Sequence, residues 1–141
     1  MSVALLDVNV LLALAWSSHE HFEPAQAWRK GPNAKWATCT FTQVAFIRLS
    51  SNPNVVDPVA TPQQAGALLQ KMTTNPAHTF WVDDMDIKNT QDWPPSWVRG
   101  HKQVTDAHLL RLVRRHHGKL VTFDAALAAA AGKSTAILLQ A

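Results

Sequence analysis

The chain has 141 residues, 47% hydrophobic and 16% charged, with a formal net charge of +3; this argues against wholesale disorder and against a second independent core. We therefore expect one domain over residues 1–141, and the single cysteine, Cys39, excludes an internal disulfide and a thiolate metal cluster. No leader-like segment and no apolar run near the roughly 18 residues of a membrane span is present, so we expect a soluble, cytoplasmic protein.

The first part of the chain predicts short buried strands that alternate with helices. Residues 3–6 form an apolar run that ends at Asp7, a pattern typical of a buried strand with a polar residue at its carboxyl end. Thr61-Pro62 predicts a helix start, because a capping residue is followed by proline at the first helical position. The other predicted elements are helices over residues 8–16, 22–29 and 40–50 and strands over residues 36–38 and 79–82.

The second part of the chain continues this alternation after a long irregular segment. Residues 83–100, rich in Asp, Pro and Trp, predict a loop with room for a short helix. The later elements are a helix over residues 105–117 that ends at Gly118, a strand over 119–122, a helix from Asp124 to residue 131 and a strand over 136–139. Together these elements predict an α/β three-layer sandwich, with a parallel sheet of about four to five strands flanked by helices.

Three aspartates stand at predicted strand ends or helix starts. Asp7 and Asp124 each follow a strand, and Asp106 lies in the first turn of a helix. Each has an ordinary explanation, since acidic residues cap helices and suit the helix dipole. Ligands of parallel sheets, however, bind at the carboxyl ends of the strands, and we expect the three carboxylates to share that edge.

Clustered carboxylates repel one another and raise each other's pKa unless a cation neutralises them. Oxygen ligands of this kind suit Mg²⁺ or Mn²⁺. Such an ion lowers the pKa of a bound water and stabilises charge on a phosphoryl oxygen. The acids, together with the absence of a nucleophilic Ser or Cys motif, therefore favour phosphodiester hydrolysis by an activated water.

A basic segment supports a phosphate-bearing partner. Arg111, Arg115 and Lys119 belong to a short stretch that also holds further basic residues and histidines, and they are candidates for RNA binding. The same stretch also has an ordinary interpretation, because cations are favoured at the carboxyl end of a helix.

Several other polar and aromatic residues have two interpretations. His101 and His108 lie near Asp106, but we expect His101 in a loop and His108 facing solvent or a neighbouring helix. The acidic run at residues 83–86 lacks the spacing and glycine of a calcium loop, so we expect a solvated turn. Trp93 and Trp97 are candidates for stacking on RNA bases, for contact with a protein partner or for core packing.

Six segments of the chain together resemble one known family. They are LLDVNVLL at residues 5–12, WATC at 36–39, TQVAFIR at 42–48, HTFW at 78–81, VTDAHLL at 104–110 and GKLVTFD at 118–124. In this order and spacing they resemble the PIN-domain family, and more narrowly its bacterial VapC-type toxins, the ribonuclease halves of toxin–antitoxin pairs. The similarity extends over nearly the whole chain.

The resemblance implies a PIN-like sandwich, endoribonuclease activity dependent on Mg²⁺ or Mn²⁺, a homodimer, and neutralisation by a cognate VapB-type antitoxin. Carried over residue by residue, it implies that Asp7 and Asp106 are the principal metal ligands. Asp124 would complete the acidic pocket, directly or through water. Asn9 and Thr122 would orient carboxylates or waters.

One catalytic position departs from the family pattern. The family usually has a glutamate in the helix after the second strand, where this chain has Gln43, and no Asp or Glu occurs between Glu23 and Asp57. An amide oxygen accepts a hydrogen bond from a metal-bound water but carries no charge and cannot act as a base. We therefore expect weaker metal affinity and slow or absent turnover.

Two other functions are compatible with parts of the sequence. A degenerate PIN module that binds RNA or antitoxin without cleaving would explain Gln43. A haloacid-dehalogenase-type phosphatase would use Asp7 as nucleophile, but that chemistry needs a second aspartate two residues later, where the chain has Asn9. A metal-dependent cleavage assay separates the endoribonuclease from the binding module.

Overall fold

Five parallel strands form one sheet in the computed structural model, which describes residues 2–32, 34–89 and 92–140. The strands are β1 (Ala4–Leu6), β2 (Trp36–Thr38), β3 (His78–Phe80), β4 (Lys119–Thr122) and β5 (Ala136–Leu138). Their order across the sheet is β3-β2-β1-β4-β5, and every neighbouring pair is parallel. The predicted α/β class and the four to five parallel strands are confirmed.

Six α-helices connect these strands. They are α1 (Val8–Ala15), α2 (Phe22–Lys30), α3 (Thr40–Ser50), α4 (Pro62–Thr73), α5 (Val104–Arg115) and α6 (Ala125–Ala131). Short 3-10 turns occur at Ile87–Asn89 and His101–Gln103, so His101 lies in a turn of helix and not in a loop. Residues 90 and 91 of the predicted loop lie outside the described residues. No helix in the described part of the chain is long and apolar enough to cross a membrane.

Two hydrophobic cores cover the two faces of the sheet. Because successive strand residues face opposite sides, Leu6 contributes to one core and Leu5 to the other. Helices α1 to α4 supply buried residues to the first core, and α5 and α6 supply them to the second. This arrangement gives the three layers expected from the alternating pattern.

Gly118 allows α5 to approach β4 and the start of the chain closely. A Cβ on this residue would lie 2.5 Å from the Val3 carbonyl oxygen and 2.5 Å from the Trp81 ring. A side chain at this position would therefore require the backbone or the indole to move. The glycine predicted to end the helix is therefore needed for packing, whereas the left-handed backbone after α5 is at His117 (φ 54°).

The direction of the chain reverses between β1 and β4. The chain moves from β1 outward through β2 to β3, then returns to place β4 on the other side of β1 and β5 beyond it. The carboxyl ends of β1 and β4 therefore meet at the switch point where open α/β sheets form their ligand sites. Asp7 follows β1 directly, and Thr122 ends β4.

Candidate functional site

Asp7 is held tightly at this switch point. Its backbone N–H donates to the Val121 carbonyl at 3.0 Å, which extends the β1–β4 pairing by one residue. The carboxylate Oδ1 accepts the Val8 N–H at 2.8 Å, and Oδ2 accepts the Thr122 hydroxyl at 2.7 Å. Asp7 is only 8% exposed, so these bonds compensate part of the cost of burying its charge.

Asp106 lies in the first turn of α5 and is half-buried. Within the described residues, no hydrogen bond or ion pair to its carboxylate is found. Burial, followed by the charges of Asp7 and Asp124, raises the pKa of Asp106 to about 6. A partly buried carboxylate with like charges nearby and no cation is a group that would gain from binding one.

Asp124 completes the group but is more exposed. It is the N-cap of α6, where its Oδ1 accepts the Leu127 N–H at 3.0 Å. Its charge contributes to raising the pKa of both Asp7 and Asp106, although burial is the larger cause in each case. The structure thus brings the three predicted carboxylates within electrostatic range of one another.

The described side chains nevertheless do not form a preformed three-ligand metal cluster. Within residues 2–32, 34–89 and 92–140, no three His, Cys, Asp or Glu side chains are close enough to hold one ion together. The donor chemistry still fits a hard divalent cation, because the three carboxylates influence one another electrostatically and none has an ion pair among the described residues.

Of the two residues predicted to orient the carboxylates, Thr122 has the contacts for that role. It is fully buried, donates to Asp7 and accepts the Asp124 backbone N–H at 3.0 Å, so it connects two members of the acidic group. Asn9 is exposed in the first turn of α1, and its side chain has no hydrogen bond within the described residues.

The Gln43 side chain bonds to Thr38 and, among the described residues, to none of the three aspartates. Its Nε2 donates to the Thr38 hydroxyl at 3.0 Å, and that hydroxyl lies 2.7 Å from His78 Nε2. Burial lowers the pKa of His78, while a hydrogen bond to the Thr73 backbone opposes this shift. The amide that replaces the family's glutamate is therefore part of a neutral hydrogen-bonded chain at the end of β2.

The predicted RNA-binding residues are placed in different environments. Arg115 pairs with Asp84 at 3.2 Å, and both side chains are more than half exposed. The Arg111 guanidinium lies 3.9 Å from the centre of the Trp93 ring, and its Nε donates to His108 Nδ1. Lys119 begins β4, so it lies at the amino edge of the sheet, opposite the carboxylates.

His108 lies near a neighbouring helix, as expected, with its ring centroid 6.4 Å from that of Phe41 in α3, but it also bonds to Asp83, which was not predicted. Because its Nδ1 accepts from Arg111, its Nε2 carries the proton that is donated to Asp83. Asp84 and Asp86 are exposed, as expected of a solvated turn, whereas Asp83 is half-buried and this bond fixes it to α5. His108 and Asp83 are separated by 25 positions, and no local sequence pattern indicates their contact.

An aromatic group beside Asp124 was not predicted from the sequence. The Phe123 ring stacks on His21 with centroids 4.5 Å apart, and His19 lies 6.5 Å from the same ring. Phe123 stands between Thr122 and Asp124 in the sequence, so its nearness to the site was foreseeable. Its contacts with His19 and His21 were not, because they depend on tertiary packing.

Comparison with known proteins yields close relatives. Three proteins from Mycobacterium tuberculosis are similar over most of their length: Ribonuclease VapC39 (45% identical over 126 residues, 89% of this chain and 91% of the relative), Ribonuclease VapC38 (42% over 124 residues, 87% and 86%) and Ribonuclease VapC44 (41% over 126 residues, 89% and 88%). No family model matches the chain. The identities and coverage confirm the resemblance seen in the sequence, and the chain belongs to the VapC family.

Proposed function

We propose that the chain is a metal-dependent endoribonuclease toxin that hydrolyses RNA phosphodiester bonds. The observation that carries this proposal is the group of Asp7, Asp106 and Asp124 at the sheet's switch point, where no cation of the described protein neutralises them. The names of the relatives, which are ribonucleases, favour RNA as the substrate over other phosphodiesters.

The protein's own groups have distinct roles in this proposal. Asp7 and Asp106 would hold Mg²⁺ or Mn²⁺, and Asp124 would hold a water beside them. When bound, the ion lowers the pKa of a water and stabilises charge on the phosphoryl oxygen. Thr122 keeps Asp7 oriented by donating to Oδ2, so that the carboxylate's remaining lone pairs stay directed to the pocket.

In this proposal Gln43 positions a water but does not act as a base. It has no charge and no basic atom, so it cannot take the proton from the attacking water. Its amide donates to Thr38, and an oxygen that remains available accepts a hydrogen bond from a water at the edge of the pocket. We therefore expect turnover to be slower than in a chain with glutamate at this position.

The family membership supports further expectations about partners. We propose a homodimer of PIN-like domains in the cytoplasm and inhibition by a cognate VapB-type antitoxin. An Arg or Lys of the antitoxin placed against the carboxylates would neutralise the pocket in place of the metal. Full metal occupancy in the inhibited complex would contradict this mode of inhibition.

A cleavage assay tests the proposed activity. The purified chain is incubated with a structured RNA in the presence of Mg²⁺, Mn²⁺ or EDTA, beside Asp106→Asn and the control Asp57→Asn, an exposed acid outside the site. We expect metal-dependent cutting by the natural chain and the control, and none by Asp106→Asn. Stable RNA binding without any cutting would instead support the non-cleaving module.

A further inference from the structure

A basic cavity of about 600 Å³ opens at the amino edge of the sheet, on the side opposite the three carboxylates. Arg29 and Lys30 come from the last turn of α2, and Lys35 directly precedes β2. Trp36 lines the wall, and Asn75 enters from the turn before β3. The backbone N–H of Trp36 donates to the Ala77 carbonyl, and this bond joins the start of β2 to the turn before β3 at the cavity.

The lining of this cavity offers hydrogen-bond donors and positive charge. Within the described residues, Arg29, Lys30 and Lys35 have no ion pair, and the chain has no acidic residue from position 24 to 56. The Asn75 Oδ1 already accepts the Ala77 N–H at 2.8 Å, so the free part of that side chain is its amide NH₂.

The Trp36 side chain in the wall of this cavity has an unpaired polar atom. The residue is 2% exposed, and its indole Nε1 is buried without a hydrogen-bond partner among the described residues. A buried donor without an acceptor is costly, and such groups in folded proteins commonly mark a missing water or ligand. Because Nε1 has almost no accessible surface, the indole is part of the cavity wall, and an oxyanion would meet this N–H only if neighbouring side chains moved.

The position of the cations at a helix end does not by itself explain this arrangement. Arg29 and Lys30 are favoured at the carboxyl end of α2 by the helix dipole. Lys35, however, lies outside the helix, and the dipole has no bearing on the Trp36 indole. A neighbouring cavity of about 330 Å³ shares Lys35 and adds Lys119, so the positive surface continues towards β4.

We propose that this cavity is a phosphate-binding site, separate from the acidic site and formed by Arg29, Lys30, Lys35 and Asn75, with Trp36 in its wall. A guanidinium, two ammonium groups and neutral N–H donors around one opening suit a tetrahedral oxyanion. The phosphate comes either from the backbone of a bound RNA or from a small phosphorylated molecule. Only the RNA source rests on the proposed function.

The first test uses inorganic phosphate and the indole N–H signals of the six tryptophans in a ¹⁵N spectrum. Trp36→Phe identifies the Trp36 signal. We expect phosphate to shift that signal saturably in the natural chain and in the control Lys88→Gln/Lys133→Gln, whose lysines lie outside the cavity. The shift should disappear in Lys30→Gln/Lys35→Gln. A Trp36 signal that does not respond, or responds equally in this variant, overturns the proposal.

The second test distinguishes the two sources of phosphate. Binding of a labelled RNA stem-loop is measured in EDTA at several salt concentrations with the same variants. If RNA supplies the phosphates, the salt slope of Lys30→Gln/Lys35→Gln decreases by about 1.4, since each single-strand contact contributes about 0.7. An unchanged slope beside a Trp36 shift with phosphate supports the small phosphorylated ligand. The Trp36 measurement with phosphate does not depend on RNA cleavage. A chain that does not cleave RNA could therefore still show the phosphate site, and failure of the proposed function is distinguished from failure of this inference.

Discussion

Replacing Asp106 by asparagine removes a carboxylate that the folded protein holds unfavourably. Burial and the charges of Asp7 and Asp124 raise the pKa of this group from 3.8 to about 6. Because the folded pKa lies above the unfolded one, the contribution of Asp106 to stability is greatest below pH 3.8 and is lost as the pH rises to 6. Above pH 6 the ionised Asp106 is therefore a fixed cost to the metal-free fold.

The size of this cost follows from the shift. One pKa unit corresponds to about 1.4 kcal/mol, so the rise to about 6 corresponds to at most roughly 3 kcal/mol. Solvent reaches the half-buried carboxylate and screens the interaction, which reduces the expected value to about 1–2 kcal/mol. In a domain of this size, removal of that cost by Asp106→Asn should raise the Tm by roughly 3–8 °C.

Thermal unfolding in EDTA and in Mg²⁺ measures both the cost and its cause. At pH 8 without metal, we expect Asp106→Asn to unfold at a higher temperature than the natural chain, with Asp57→Asn unchanged as the charge-matched control. Near pH 4 the difference should shrink, because the natural carboxyl is then largely protonated. Mg²⁺ should raise the Tm of the natural chain, since a ligand of the folded state stabilises it, but not that of Asp106→Asn.

Two results would refute this reasoning. If Asp106→Asn in EDTA at pH 8 were no more stable than the natural chain, burial and the neighbouring carboxylates would not disfavour the ionised Asp106 in the folded protein. If the variant kept the full response to Mg²⁺, Asp106 would not be a metal ligand. The two results are independent, so the electrostatic and ligand parts of the argument are tested separately.

Three further substitutions test other parts of the structure. Gln43→Glu adds the missing negative charge, and we expect faster RNA cleavage in Mg²⁺ and Mn²⁺; equal rates would contradict the role assigned to this position. Thr122→Val removes the hydroxyl that donates to Asp7. We expect a loss of about 1–3 kcal/mol in the free energy of unfolding and weaker stabilisation by Mg²⁺. Thr79→Val, on an exposed position of β3, is the control, and identical melting of the two valine variants would argue against the bond. Thr61→Ala removes the N-cap of α4 and should cost about 1 kcal/mol in denaturant unfolding without changing the response to Mg²⁺; an unchanged midpoint would contradict the capping role.

The fold was largely predictable because its elements have local signals. The apolar run before Asp7 and the glycine after α5 mark element boundaries that the structure reproduces within a few residues. The third strand is the main shift, since it spans His78–Phe80 where residues 79–82 were expected. The shared edge of Asp7 and Asp124 followed from a general property of parallel sheets, because the carboxyl ends of their strands lie on one side.

The side-chain contacts of the site were less predictable, since they depend on how distant segments pack. The bond between Thr38 and His78 requires β2 to lie beside β3, and the bond from His108 to Asp83 requires the residues after β3 to pack against α5. The amino-edge cavity likewise depends on Asn75 approaching the end of α2. Such contacts join residues whose sequence neighbourhoods carry no sign of each other.

Because the acidic site forms only where β1 pairs with β4, its activity would report whether two separate fragments of the chain have reassembled. Asp7 lies before the 83–100 segment, whereas Asp106 and Asp124 lie after it. A cut in that segment would leave each fragment with only part of the acidic group. Metal-dependent cleavage that returns on mixing the two fragments would show that β1 and β4 have paired again in their native register, Ala4 opposite Lys119.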